Sequence, residues 1–282
     1  MRFATVEYQG KTFVGSVDKT GKTVTPLSVG DINALFRGER AEAKGQPIAL
    51  SAVKLKAPVP LPLRNIMCVG KNYHEHAKEF SASGFDSSST SAADAIPTAP
   101  IIFTKVPQSV IGPDEPIRYP AGVSEQLDYE AELAVIIGQG GRGISKENAL
   151  SHVWGYTILN DVTARDLQAR HKQWFLGKSM DTFAPMGPWC VTADEVDLAT
   201  AGIRCWVNGE LRQDAKIADL IFDIPTLIST ISAGITLMPG DIIATGTPAG
   251  VGIGFKPPRF LSKGDTIAME VDGIGRLTNS VQ

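Results

Sequence analysis

The sequence predicts an α+β fold that is dominated by a folded-over, barrel-like sheet. Strand-like segments outnumber helical ones along the 282 residues. Asn208-Gly209 and Asp272-Gly273 are typical of tight turns between antiparallel strands, which indicates hairpins. The two clearest helices are predicted at residues 162–171 and at residues 223–234, where Asp223 is a suitable N-cap.

Residues 1–62 are predicted to form a small N-terminal α/β domain. Three short strands and one helix capped by Asp31 are expected there, at residues 2–8, 11–17, 23–27 and 31–43. The prolines of residues 57–62 favour an extended chain, so we place the junction with the main domain here.

The main domain, residues 63–282, is predicted to be rich in strands. The expected strand segments are residues 65–70, 100–106, 115–119, 129–138, 155–160, 188–193, 203–213, 241–246 and 266–279. A short helix or helical turn should follow the first of them, at residues 70–80. Serine occupies six of residues 81–91, a composition that cannot bury enough apolar surface to fold alone. We predict a flexible lid at residues 81–100.

The overall composition argues against nucleic acid and membranes as partners. The net charge is −3, the pI is near 5.8, and no Lys/Arg block changes this balance. No stretch approaches the length of a membrane span, and the first residues contain no apolar signal core. Three cysteines, without a CxxC pair, do not suggest a disulfide framework. We therefore expect a reduced, cytoplasmic protein.

Glu130 and Glu132 lie unexpectedly within the apolar segment LDYEAELAVIIG, residues 127–138. Alternate residues of a strand face the same side, so the two carboxylates would share a face, with their Cα atoms about 6.6 Å apart. Asp161 ends a later strand and would lie beside them if the two strands are neighbours. Such an oxygen-only cluster suits Mg²⁺ or Mn²⁺. Alternatively, the glutamates face solvent and Asp161 caps a helix, and spacing alone does not decide between the two.

His76 and Glu79 form a candidate catalytic pair. They are three residues apart, so on a helical turn the carboxylate can bind one imidazole nitrogen and leave the other as a base toward a water. Both could equally be partly exposed residues of a surface turn. A zinc site of Cys68, His74 and His76 is a further interpretation, but it lacks a fourth ligand at the usual spacing.

Two other segments could bind an anion. Arg165 and Gln168 share one face of a predicted helix, where the arginine could bind a carboxylate and the amide could donate a hydrogen bond. The loop at residues 245–252 exposes hydroxyls and backbone amides that could do the same. An ordinary surface helix and a flexible turn are the respective alternatives.

The glycines at positions 138, 140 and 143 match the spacing of a dinucleotide-binding motif, with Asp161 about twenty residues further on. A strand of that fold is covered on both faces and apolar throughout, whereas this one carries two glutamates. We therefore favour a glycine turn before a short helix. Gly177-Lys178-Ser179 is not a phosphate loop, because Lys172 occupies the position of the required glycine.

Six segments, taken in order, resemble the fumarylacetoacetate hydrolase superfamily. They are CVGKNYHEHAKE, DYEAELAVIIG, GYTILNDVTARDLQ, GKSMDTFAPMGP, LMPGDIIATGTPAGVG and GRLTNSV, and the resemblance covers residues 64–282. It implies a mixed, mostly β roll or barrel that forms a homodimer. The carboxylate that fumarylacetoacetase itself carries just before its histidine has no counterpart in residues 66–73, so the chain is more similar to the small bacterial and mitochondrial branch.

The resemblance also implies a set of functional residues. Glu130, Glu132 and Asp161 would hold one Mg²⁺ or Mn²⁺ per subunit. His76 and Glu79 would activate a water, with Lys178 as a further catalytic residue. The implied substrate-binding residues are Lys105, Arg165, Gln168 and Thr247.

From this resemblance we expect a metal-dependent hydrolase that cleaves a C–C bond in a small anionic 2,4-dioxo acid, an acylpyruvate, with a role in aromatic catabolism. A cation that polarises the 2-oxo group would stabilise the enolate that leaves. The same site could serve an oxaloacetate decarboxylase or a 2-hydroxy-2,4-dienedioate isomerase. A nucleotide-dependent oxidoreductase and a catalytically silent oxo-acid binder are alternatives from other classes.

Overall fold

A computed structural model describes residues 1–86 and 95–282 of the protein. It contains six α-helices within these residues: α1 Ile32–Phe36, α2 His74–Ala82, α3 Lys146–Ala149, α4 Arg165–His171, α5 Phe175–Lys178 and α6 Ile224–Ser232. None of these helices is long and apolar enough to cross a membrane. Part of the predicted lid, residues 87–94, lies outside the described residues.

Strands make up most of the regular structure, as predicted for an α+β protein. They are β1 Arg2–Tyr8, β2 Lys11–Val17, β3 Thr23–Pro26, β4 Ile48–Ala49, β5 Lys54–Leu55, β6 Ile66–Gly70, β7 Ile101–Lys105, β8 Val110–Ile111, β9 Leu127–Asp128, β10 Ala131–Ile137, β11 Val153–Asn160, β12 Thr163–Ala164, β13 Ala184–Thr192, β14 Gly202–Val207, β15 Glu210–Lys216, β16 Ile242–Ala244, β17 Thr266–Val271 and β18 Gly275–Ser280.

One large mixed sheet organises the molecule, in the order β4-β3-β2-β1-β13-β11-β10-β16-β6-β7. Most neighbours are antiparallel, but β6 and β16 run parallel. Within the described residues β4 and β7, at the two ends of this path, do not pair with each other, so the sheet is not a closed barrel. A second sheet, β15-β14-β17-β18, is built from the two predicted hairpins, which turn at Asn208-Gly209 and near Gly273.

The strands of the first 62 residues extend this large sheet. Strand β1 pairs with β13 through Arg2↔Val191 and Phe3↔Cys190, while β2 and β3 continue the sheet outward. The boundary at residues 62/63 stays a prediction.

Three predicted elements differ from the structure. The helix predicted at residues 162–171 begins at Arg165, because Thr163 and Ala164 form strand β12 and pair with β9. The first helix begins at its Asp31 cap, whose carboxylate accepts the Ala34 N–H, but it ends at Phe36 instead of continuing to residue 43. Gly38 has a φ of +80°, which a continuing helix does not allow. Residues 115–119 form one isolated bridge, between Ile117 and Val281, in place of a strand, and Pro116 removes a donor there.

Strand β10 is buried on both faces. Leu133 and Val135 contribute to one hydrophobic cluster, and the alternating Ala134 and Ile136 contribute to the other. Both sides of the strand are therefore dry, and any polar group at its start must find its partners within the protein.

Gly155→Ala should destabilise the fold, because a Cβ on Gly155 of β11 would lie 1.8 Å from the Val191 carbonyl oxygen on β13. We expect the free energy of unfolding to fall by about 1–3 kcal/mol, the usual effect of overpacking, in urea denaturation. Gly30→Ala is the matched control, since a Cβ there would meet no atom within 4 Å. Equal unfolding midpoints for the two variants would contradict the close β11–β13 contact.

Candidate active site

Three buried carboxylates converge at the start of β10. One oxygen from each of Glu130, Glu132 and Asp161 lies within 4.8 Å of the other two. Strands β10 and β11 are antiparallel neighbours, with Ala131 opposite Asn160, so Asp161 arrives beside Glu130. Its N–H donates to the Glu130 carbonyl at 2.9 Å. The pairing of these two strands therefore assembles the acidic group.

Two buried lysines bind these carboxylates. The Lys178 ammonium donates at 2.8 Å to both Glu130 Oε2 and Asp161 Oδ2, and so bridges them. Lys105 Nζ donates to the other oxygen of Asp161 at 2.6 Å and to the Val162 carbonyl at 3.0 Å.

Arg165 adds a third buried cation. Its Nη1 contacts Glu130 Oε1 at 2.7 Å and Gln168 Oε1 at 3.1 Å, and its Nε donates to Asp128 Oδ2 at 2.9 Å. Its remaining nitrogen, Nη2, is buried and has no hydrogen-bond partner among the described residues. An unsatisfied guanidinium N–H in a buried site is costly, so Nη2 is a ready donor for an anionic ligand.

The cations stabilise the charges of the acidic group unequally. Burial opposes ionisation of Glu130, yet Lys178 and Arg165 lower its pKa to about 2. For Glu132, burial raises the pKa well above its usual value, and the nearby charges of Asp161 and Glu130 raise it further. The carboxylate of Glu132 is therefore the one whose charge most needs an added cation.

The glycine-rich loop predicted to bind a carboxylate binds carboxylates of the protein itself. The Gly246 N–H donates to Glu132 at 2.8 Å, and the Gly252 N–H donates to Asp128 at 2.7 Å. Gly246 has a φ of +102°, and a Cβ there would lie 2.7 Å from Asn72, so only glycine fits. Backbone amides of this loop thus complement the lysines and the arginine.

His76 and Glu79 are held together on α2. His76 Nδ1 lies 3.2 Å from Glu79 Oε2, and Glu79 also accepts the Gly250 N–H at 3.0 Å. The carboxylate is thereby fixed on one side of the imidazole, which leaves Nε2 to exchange a proton.

One cavity is lined by Glu130 and by groups from the other parts of the site, whereas Glu132 and Asp161 do not line it. Its polar lining consists of Lys71, His76, Glu130, Arg165, Gln168, Lys178 and Thr247. Three aromatic rings complete the wall: Phe80, Phe103 and Trp174, with Trp174 in edge contact with both phenylalanines. Lys178 Nζ lies 4.9 Å from the centre of the Phe103 ring, so the aromatic wall also contacts a cation.

Not every residue predicted for the site lines this cavity. Lys105, proposed to bind substrate, is fully buried against Asp161, and Glu79 reaches the cavity only through His76. Thr247 does line it and accepts a hydrogen bond from Gln213. The substrate-binding and catalytic roles of all these residues stay predictions.

Sequence reasoning missed Asp128 and Lys71. Asp128 lies two residues before Glu130, so the same alternation that paired the glutamates could have included it. It does not join the acidic group but orients Arg165. Lys71 lines the cavity from the end of β6, and its side chain gave no signal of its own within the segment GKNY.

The residues present fit a divalent cation. All three donors are carboxylates, the ligands that hard cations prefer, and they are buried where β10 begins and β11 ends. Asp128 and the three metal-site carboxylates formally carry one negative charge more than Lys105, Arg165 and Lys178 can neutralise. A divalent ion would reverse the sign of this excess.

Comparison with known families places the chain among enzymes. Residues 65–282 match the family model described as fumarylacetoacetate hydrolase, C-terminal. The oxaloacetate tautomerase YisK of Bacillus subtilis is 44% identical over an alignment that covers 100% of both chains. The human mitochondrial oxaloacetate tautomerase FAHD2A is 40% identical over 92% of this chain and 80% of its own length.

Solved structures agree with these relatives. A fumarylacetoacetate hydrolase from Exiguobacterium antarcticum superposes with a TM-score of 0.87 at 42% identity, covering 100% of this chain and 99% of the other. A 2-hydroxyhepta-2,4-diene-1,7-dioate isomerase from Mycobacterium marinum gives a TM-score of 0.81 at 35% identity, covering 100% and 98%.

Glu132→Gln should lower the affinity for Mn²⁺ by at least about 100-fold. Loss of a residue that only hydrogen-bonds a metal ligand lowers metal affinity by up to about 100-fold, and loss of a ligand should cost at least as much. The change removes one of three carboxylate ligands and keeps the side-chain volume. Binding is measured by electron paramagnetic resonance of free Mn²⁺. Glu147→Gln, at an exposed position on α3, is the control. Unchanged Mn²⁺ affinity in Glu132→Gln would rule out this metal site.

The raised pKa of Glu132 predicts a second effect of the Glu132→Gln substitution, on the unfolding temperature. A carboxyl whose pKa is higher in the folded state stabilises the fold while protonated, and this contribution is lost as pH rises through the folded pKa. Metal-free Glu132→Gln should therefore unfold at the same or a higher temperature than the wild type above neutral pH. A lower unfolding temperature at that pH would contradict the charge repulsion between Glu132 and its neighbours Asp161 and Glu130.

Proposed function

Because the chain belongs to the fumarylacetoacetate hydrolase family, we propose that it interconverts the keto and enol forms of a small anionic 2-oxo acid of the oxaloacetate type. The observation that carries this proposal is the single cavity that joins His76, Arg165 and Lys178 to the metal-site residue Glu130. The tautomerase names of full-length relatives support the choice of reaction.

The charges of the cavity support an anionic substrate. Arg165 Nη2 has no hydrogen-bond partner among the described residues, and it can donate to a carboxylate of the substrate. The Gln168 side chain lines the same wall and is oriented by Arg165. Together these two residues bind and orient the acid end of the substrate.

The chemistry needs one proton to move between carbon and oxygen. The proton is removed from, or returned to, the carbon between the two carbonyl-bearing carbons, and we assign this transfer to His76 Nε2. Glu79 orients the imidazole from the opposite side of the ring. Lys178 and Arg165 stabilise negative charge that develops on the enol oxygen. The aromatic wall of Phe80, Phe103 and Trp174 excludes water from the reacting carbon.

Mg²⁺ or Mn²⁺, bound by Glu130, Glu132 and Asp161, would supply Lewis-acid stabilisation of an oxyanion. Lys178 and Lys105 each donate to Asp161 and so hold this carboxylate in position.

Hydrolysis of a C–C bond in an acylpyruvate, predicted from the sequence, is the second candidate. The His76–Glu79 pair favours it, because the same imidazole can deprotonate a water in place of a carbon acid. Decarboxylation and dienedioate isomerisation would use the same cations. Homodimer formation and the lack of nucleic-acid and membrane partners likewise stay predictions.

Nucleotide-dependent redox chemistry receives no support from the backbone. Strand β10 is antiparallel to both of its neighbours, β11 and β16, whereas a dinucleotide-binding unit needs parallel strands. Residues 138–143 also lie at the opposite end of β10 from the carboxylates.

The test of the proposed function is the decay of enol-oxaloacetate absorbance, followed with Mg²⁺, with Mn²⁺ and with EDTA. We expect catalysis that EDTA abolishes, and His76→Asn should lower kcat by about 10²–10⁴-fold because it removes the proton carrier.

His74→Asn provides the matched control, since His74 is exposed on the same helix and lies outside the cavity. It should retain wild-type activity. A wild-type enzyme that leaves enol-oxaloacetate unchanged but cleaves acetylpyruvate or fumarylpyruvate would replace tautomerisation by hydrolysis as the function.

A further inference from the structure

Lys71 is a buried cation of the cavity that has no role in the proposed chemistry. It follows β6, lines the cavity and is only 3% exposed. Its φ is +56°, a left-handed conformation that is uncommon for a lysine and is retained where the surrounding structure requires it. The backbone is thus held in an unfavourable conformation at a lysine that lines the cavity.

The ammonium of Lys71 is paired away from the metal site. Its Nζ donates to Asp86 Oδ2 at 2.8 Å and to Ser81 Oγ at 3.2 Å, and Ser81 also donates to Asp86. The ion pair is buried on both sides. Asp86 is therefore a carboxylate held on a cavity lysine by groups outside the acidic group of Glu130, Glu132 and Asp161.

The other cations that line the cavity are paired with carboxylates at or beside the metal site. Lys178 bridges Glu130 and Asp161, and Arg165 joins Asp128 to Glu130. Releasing either would remove one charged partner from buried carboxylates at or beside the metal site. Lys71 can exchange its carboxylate without disturbing that site.

We propose that Lys71 binds the distal carboxylate of a dicarboxylate substrate, which takes the place of Asp86. This assignment rests on the proposed function, in which Arg165 and Gln168 receive the 2-oxo acid end. In this exchange the buried ammonium of Lys71 is paired with a carboxylate before and after, while the displaced Asp86 has the Ser81 hydroxyl as a further donor. The site then selects dicarboxylates such as oxaloacetate over 2-oxo acids with a neutral distal group.

The discriminating experiment compares the Mn²⁺-loaded protein's affinity for oxaloacetate and for pyruvate, which is oxaloacetate without the distal carboxylate. In isothermal titration calorimetry, Lys71→Met should weaken oxaloacetate binding about 10- to 100-fold, as loss of a hydrogen bond to a charged group predicts. Pyruvate binding should change far less. Lys78→Met is the matched control, because this exposed lysine of α2 pairs with Glu75.

Asp86→Asn separates ligand binding from a structural role. If the substrate displaces Asp86, this variant should bind oxaloacetate at least as tightly as the wild type, because the competing carboxylate is gone. Equal losses for pyruvate and oxaloacetate in Lys71→Met, or weaker oxaloacetate binding in Asp86→Asn, would overturn the assignment. Because binding is measured directly, a wild type without tautomerase activity refutes the proposed function and leaves this comparison decisive for Lys71.

Discussion

The burial of four carboxylates at the start of one dry strand is the constraint on which the site depends. Asp128, Glu130, Glu132 and Asp161 are withdrawn from water where both faces of β10 are packed with apolar side chains. Such groups are tolerated only when each finds a cation or a donor. Lys105, Lys178 and Arg165 supply the cations, and amides of the loop that contains Gly246 and Gly252 supply further donors.

The negative charges of these carboxylates are compensated unequally and only in part. Glu130 is strongly stabilised in its charged form, whereas the pKa of Glu132 is raised by burial and by its acidic neighbours. The four carboxylates thus exceed the three cations by one formal charge, and among the described residues Nη2 of Arg165 has no hydrogen-bond partner. In the proposed function, a divalent cation would offset the excess negative charge and an anionic substrate would accept from Arg165 Nη2.

Membership of the family leaves the reaction itself open. Relatives that share this architecture carry names as different as tautomerase, isomerase and hydrolase. All these reactions profit from the same stabilised oxyanion, so the acidic group and its cations do not distinguish them. We propose that the distinction lies in the remaining lining of the cavity, which consists of His76, Lys71 and the aromatic rings.

The sequence alone predicted the fold class, both hairpins and the pairing of Glu130 with Glu132, because strand alternation and turn chemistry are local properties that short segments express. Alternation did not decide whether Asp161 would join them, and only the resemblance to the family implied it. The sequence could not show that β1 would join β13, or that helix α1 would stop at Phe36. Only the tertiary structure decided which carboxylates face which cations: Lys178, Arg165 and Gly246 reach the glutamates from distant segments. Contacts between segments far apart in the chain depend on how the whole sheet is assembled, and local sequence patterns do not contain that information.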